Sequence, residues 1–115
     1  MGGDMYSRDR HGPWTVVHPR GEIDLAAAAE FREAVVQAFE GTDLVAIDFT
    51  EVTFMDSSGI GVIAAGLKHT RGHGGSLVLV GLPEQVRFVL QITGLDRIVE
   101  IRPTVLDLDV GRAAS

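Results

Sequence analysis

Residues 44–67 read Leu-Val-Ala-Ile-Asp-Phe-Thr-Glu-Val-Thr-Phe-Met-Asp-Ser-Ser-Gly-Ile-Gly-Val-Ile-Ala-Ala-Gly-Leu, and this stretch decides the fold class. Leu44 to Phe49 is a nearly unbroken apolar run with β-branched members, the mark of a strand covered on both faces. After Phe54 and Met55, Asp56-Ser57-Ser58-Gly59 starts a helix whose apolar stripe is Ile60, Ile63, Ala64 and Leu67, with Gly72 expected to end it.

The alternation continues on both sides. Upstream, Trp14, Val16 and Val17 make a short strand that Pro19 to Gly21 closes. Leu25, Ala28, Phe31, Val35, Ala38 and Phe39 recur at helical steps over Leu25 to Glu40, with Asp24 placed as N-cap and Gly41 as a left-handed end. Downstream, Ser76 to Val80 reads as a buried strand, and Pro83 opens a helix carrying Val86, Val89 and Leu90 as far as Gly94. Ile98 to Ile101 is the last strand. Strand and helix in alternation predict right-handed crossovers and an α/β fold. Its mainly parallel sheet has four to five strands, with an antiparallel edge strand from the Met1 to Arg10 region and about four helices.

A chain of 115 residues is one domain's worth, with an ordered core expected over about 14–101. Ten Lys and Arg against sixteen Asp and Glu leave a net charge of −6, the wrong sign for holding phosphate backbones, so direct nucleic-acid binding is not expected. With no cysteine, disulfides, thiolate catalysis and Cys-ligated metals are excluded. The first ten residues carry Asp4, Arg8, Asp9 and Arg10 without an apolar run, unlike a signal peptide. Uncharged stretches such as the eleven residues Ser57 to Leu67 fall short of a membrane span. A cytoplasmic protein away from the membrane is the expectation.

In open α/β sheets ligands gather beyond the carboxyl ends of the strands. Two turns there carry acids and hydroxyls: Gly21-Glu22-Ile23-Asp24, and Phe54 to Gly59. If the first and second parallel strands are neighbours, Asp24 and Asp56 meet at one sheet edge. Ser57 then stands at a helix mouth, where free N–H groups and the positive dipole end favour an added phosphate. The same four residues, Asp56 to Gly59, also make an ordinary capping sequence. Gly59 and Gly61 lack the Lys-Ser/Thr of a P-loop and read as glycines that let the helix start lie close on the sheet. No histidine offers itself as base to Ser57 or Ser58: His11 is in the N-terminal segment, His18 is in a strand, and Gly72 separates His69 from His73. No metal site is expected, and Lys68, His69 and Arg71 read as a cationic last turn. Asp24 with Asp56 as an acid–base pair is a conceivable catalytic reading.

The stretches Gly21 to Asp24, Ile47-Asp48-Phe49, Phe54 to Val62, and Ile92-Thr93-Gly94-Leu95 together resemble the STAS family, and within it the stand-alone bacterial anti-sigma factor antagonists. The resemblance covers about Trp14 to Ile101. It implies a binding switch and no enzymatic reaction of this chain. The unphosphorylated antagonist binds a serine-kinase anti-sigma factor and frees its sigma factor; the kinase then phosphorylates the antagonist, and a separate phosphatase resets it. Carried over to this chain, the acceptor is Ser57, with Ser58 a lesser site; Asp24, Asp56, Ser58 and Gly59 surround it. ATP and magnesium belong to the kinase, so no cofactor is implied. Members usually end in a longer helix, whereas Thr104 to Gly111 gives barely two turns. The alternative within the family is an accessory subunit of a membrane transport complex, in which the serine turn is mere architecture.

Overall fold

A computed structural model describes residues 6–111. In chain order its elements are β1 (Ser7–His11), β2 (Trp14–His18), β3 (Arg20–Ile23), α1 (Leu25–Gly41), β4 (Leu44–Asp48), β5 (Glu51–Met55), α2 (Ser57–His73), β6 (Ser76–Val80), α3 (Glu84–Thr93) and β7 (Glu100–Arg102), with 3-10 turns at Leu95–Arg97 and Val105–Asp107. Five strands form one sheet in the order β1-β2-β4-β6-β7, and β3 pairs with β5 in a second, two-stranded sheet. Among the described residues only β1 runs antiparallel, as the expected edge strand; residues 1–5 of the segment assigned to it lie outside them.

The parallel strands follow one another in a single direction, so right-handed crossovers put every helix on the same face. Phe31, Val35 and Ala38 from α1, Val62 and Ile63 from α2, and Val86 and Leu90 from α3 bury themselves there against Val17, Val45, Ile47, Leu77 and Leu79. Strand alternation sends Trp14, Val16, Leu44, Ala46, Val78 and Val80 to the opposite face. Leu108 and the partly buried Val105 cover that face, and the Trp14 indole Nε1 donates to the Asp109 carbonyl at 3.0 Å. Where the sequence of Thr104 to Gly111 reads as barely two helical turns, the described residues form the 3-10 turn Val105–Asp107 and a strap anchored by that bond.

Several boundaries differ from the sequence reading. Helix α1 includes Gly41 and ends on extended Thr42 (φ −165°), so Gly41 is not left-handed. Helix α2 passes Gly72 and stops at His73, where Gly74 takes φ 78°. The final strand begins at Glu100, because Leu95–Arg97 coils into a 3-10 turn and Ile98 caps it. Leu25, read as part of the buried stripe, is 79% exposed at the start of α1. In α2 the buried residues are Gly59, Val62, Ile63 and Gly66, while Ile60 and Leu67 are half-buried and Ala64 is exposed. Side-chain hydropathy misplaces this stripe because two of its four positions have no side chain and mark the places where helix and sheet approach most closely.

Candidate functional site

Strands β3 and β5, which local periodicity did not reveal, build the site. Gly21, at φ 74°, sits at an irregularity that advances the register from Gly21↔Val52 to Glu22↔Phe54, and so aligns Ile23 with Met55. The two strands end level and each delivers an aspartate to the start of a helix. Asp24 caps α1, its Oδ1 accepting from the Ala27 N–H at 3.0 Å; Asp56 caps α2, its Oδ1 accepting from the Ser58 N–H at 2.8 Å. The Asp56 N–H donates to the Ile23 carbonyl at 3.2 Å and ties the two helix starts together. The expected meeting of Asp24 and Asp56 therefore occurs, on the small sheet and not between β2 and β4.

Ser57 is the first residue of α2 and is exposed, whereas Ser58 is half-buried. Exposed Leu25 holds the corresponding position in α1, and Phe54, 39% exposed, lies three residues before Ser57. The site thus presents one accessible hydroxyl among two carboxylates and two apolar side chains. Behind it, Gly59 is buried: a Cβ there would stand 2.5 Å from Met55 Cγ, 2.6 Å from Met55 Sδ and 3.1 Å from Ile23 Cγ2. Only a glycine lets α2 begin this close to the strand ends, as the sequence suggested for the glycines here; Gly61, by contrast, faces open space.

Two nearby residues escaped the sequence reading. Gln85 of α3 holds the backbone of Met55 with two hydrogen bonds, a long-range contact that leaves no local pattern. Tyr6, in the Met1 to Arg10 segment outside the expected ordered core, is buried with its ring edge-on to Phe31 at 6.2 Å, and its hydroxyl has no hydrogen-bond partner among the described residues. Burial, then the carboxylates of Glu30 and Asp24, raise its pKa above the ordinary tyrosine value of 10.0. A raised folded-state pKa gives stability that is complete below the unfolded value and is lost as pH climbs through the folded one. Denaturant titrations should therefore show stability falling above about pH 10 in the wild type. Tyr6→Phe should remove that dependence and, by deleting a buried hydroxyl that has no partner among the described residues, match or exceed wild-type stability at neutral pH.

The hydroxyl of Ser57 is displayed at the surface. Among the described residues no histidine hydrogen-bonds Ser57 or Ser58. His18 contacts Asp9 at 3.1 Å and Asp48 at 3.3 Å. The helix is intact through His69 and His73, contrary to the expected break, yet their rings stack at 4.2 Å and 15° and do not converge on a point; His69 also lies 4.6 Å from Phe39. Among the described residues no group of three or more His, Asp or Glu is disposed to hold a metal ion, and no helix is long and apolar enough to cross a membrane. A cleft of about 300 Å³ between α1 and α2, walled by Val35, Phe39, Val62 and Gly66, shares no residue with the Ser57 turn.

Comparison with known proteins gives a consistent picture. The family model for the STAS domain matches residues 4–108. An anti-sigma-B factor antagonist of Listeria monocytogenes is 43% identical over 84 residues, covering 71% of this chain and 73% of that protein. The crystal structure of an anti-sigma factor antagonist from Mycobacterium paratuberculosis superposes with a TM-score of 0.80 at 26% identity, covering 89% of this chain and 87% of the other. The fold is also that of the Bacillus cell fate determinant SpoIIAA in its phosphorylated form, with a TM-score of 0.70 at 24% identity over 93% of this chain and 99% of the other.

Proposed function

From the premise that this chain belongs to the STAS domain family, we propose that it is an anti-sigma factor antagonist, a regulatory binding protein whose complex with a serine-kinase anti-sigma factor ends when Ser57 is phosphorylated. The observation that carries this reading is the exposed Ser57 hydroxyl at the first position of α2, beside the capping carboxylate of Asp56.

The reaction at that hydroxyl belongs to the kinase. Ser57 Oγ attacks the γ-phosphorus of ATP, the new O–P bond forms as the bond to the β,γ-bridging oxygen breaks, ADP leaves, and the hydroxyl proton passes to a base of the kinase. This chain contributes placement. A helix N-terminus favours the dianion locally. The added charge of about −1.5 to −2 then faces the nucleotide phosphates of the bound kinase, which stand within transfer distance of Ser57, and the two repel. A phosphoryl group also fills space that a closely packed interface requires. Asp24, Asp56 and Leu25 complete the surface the kinase contacts, and a phosphatase that hydrolyses the phosphoserine restores binding.

The names of the relatives favour this reading over the transport-subunit alternative. Incubation with a cognate anti-sigma kinase and ATP should add one phosphate to the wild type, detected by intact mass, and none to Ser57→Ala. A phosphate of equal yield on Ser57→Ala would discard Ser57 as the acceptor.

A further inference from the structure

We infer that Gln85 is a positioning residue for the acceptor turn, its side-chain amide standing in for the strand that β5 lacks on its outer side. The kinetic part of this inference rests on the function proposed above; the structural part does not.

Among the described residues strand β5 has one neighbour, β3. In a parallel pair, successive residues turn their N–H and C=O groups alternately toward and away from the partner strand. Asp56 spends its N–H on the Ile23 carbonyl across that pair, so the polar groups of Met55 point the other way, to the side where no strand lies. Gln85, in the first turn of α3, fills the place: its Oε1 accepts from the Met55 N–H at 2.8 Å and its Nε2 donates to the Met55 carbonyl at 3.0 Å. Because a backbone N–H only donates and a carbonyl only accepts, the orientation of the amide is fixed. A glutamine amide carries the donor and acceptor of a peptide unit, and here it replaces one residue of a β-ladder.

Three constraints then converge on the residues leading into Ser57. Asp56 is tied to β3, the Met55 backbone is tied to α3, and the fully buried Met55 side chain is wedged against Gly59. Phosphoryl transfer needs the attacking oxygen about 3–3.5 Å from phosphorus, and a misplacement of about 1 Å costs on the order of 100-fold in rate. Releasing Met55 gives the turn that freedom, although Gln85 itself makes no hydrogen bond to Ser57.

The test uses the full chain as wild type, Gln85→Ala and Gln85→Glu. The isosteric Gln85→Glu keeps the acceptor for the Met55 N–H and loses the donor to its carbonyl, so it serves if the alanine variant folds poorly. Amide exchange read by NMR should accelerate at least tenfold at Met55 in Gln85→Ala and less in Gln85→Glu, with β4 and β6 unaffected. In phosphorylation by a cognate kinase, kcat should fall at least tenfold with KM nearly unchanged, while the circular dichroism of the variant stays native. Unaltered exchange at Met55 would overturn the clamp. Faster exchange with an unaltered kcat would overturn the positioning role and leave only a plugged sheet edge. A wild type that accepts no phosphate at Ser57 overturns the function proposed above; the exchange measurement then decides by itself whether Gln85 holds the turn.

Discussion

Replacing Gly59 by valine should cost the fold about 3 kcal/mol or more, at the upper end of what overpacking a core does. The new Cβ would enter at 2.5–2.6 Å from the Met55 side chain and 3.1 Å from Ile23, and both residues are fully buried. Two further methyl groups make the same collision worse. At roughly 4 °C per kcal/mol for a chain of this size, the thermal midpoint should drop by about 12 °C. Gly61→Ala, two residues along the same helix, should do the opposite: its Cβ meets nothing within 4 Å, its φ is not positive, and alanine favours helix by up to about 1 kcal/mol. Equal melting temperatures for Gly59→Val and the wild type would mean that α2 does not start where its close contact with Met55 and Ile23 requires.

The second large effect concerns binding. Ser57→Asp should weaken the complex with a nucleotide-loaded anti-sigma kinase by roughly 100-fold, measured by calorimetry or surface plasmon resonance. One added negative charge about 6 Å from a nucleotide phosphate, at an effective dielectric near 20, is worth about 2.8 kcal/mol, which corresponds to that factor. Because the position is exposed, the penalty should shrink as salt is raised. Ser57→Ala, which adds neither charge nor bulk, should bind within a fewfold of the wild type. An aspartate variant that binds as tightly as the alanine variant would remove electrostatic repulsion from the account of the switch.

Where a local pattern existed, the sequence carried the architecture. The apolar run Leu44 to Phe49 and the spacing of Phe31, Val35 and Ala38 mark elements that the structure contains, and Asp24 and Asp56 cap the helices assigned to them. What stayed hidden has a physical reason in each case. Strands β3 and β5 are short and mostly solvent-facing, with burial at Ile23, Val52 and Met55 alone, so neither alternation nor a long apolar run announces them. The packed stripe of α2 passes through Gly59 and Gly66, and a residue without a side chain adds nothing to a count of apolar ones. Gln85 acts across thirty residues through a side chain that would look the same on any exposed helix. The place of Ser57 at an exposed helix start was legible because its surroundings are sequential: an acid, two hydroxyls and a glycine at the mouth of an apolar helix.

The division of the core by the five-stranded sheet equips the molecule with its own spectroscopy. The chain has one tyrosine and one tryptophan, and they lie on opposite sides: Tyr6 among the helices, and Trp14 under the C-terminal strap. Indole fluorescence therefore watches the strap, through its bond to the Asp109 carbonyl, on the side of the sheet away from α1, α2 and α3. A strap peeling from the rear would register in that emission, whereas a partner docking on the helix side would leave it unchanged, in the unlabelled protein.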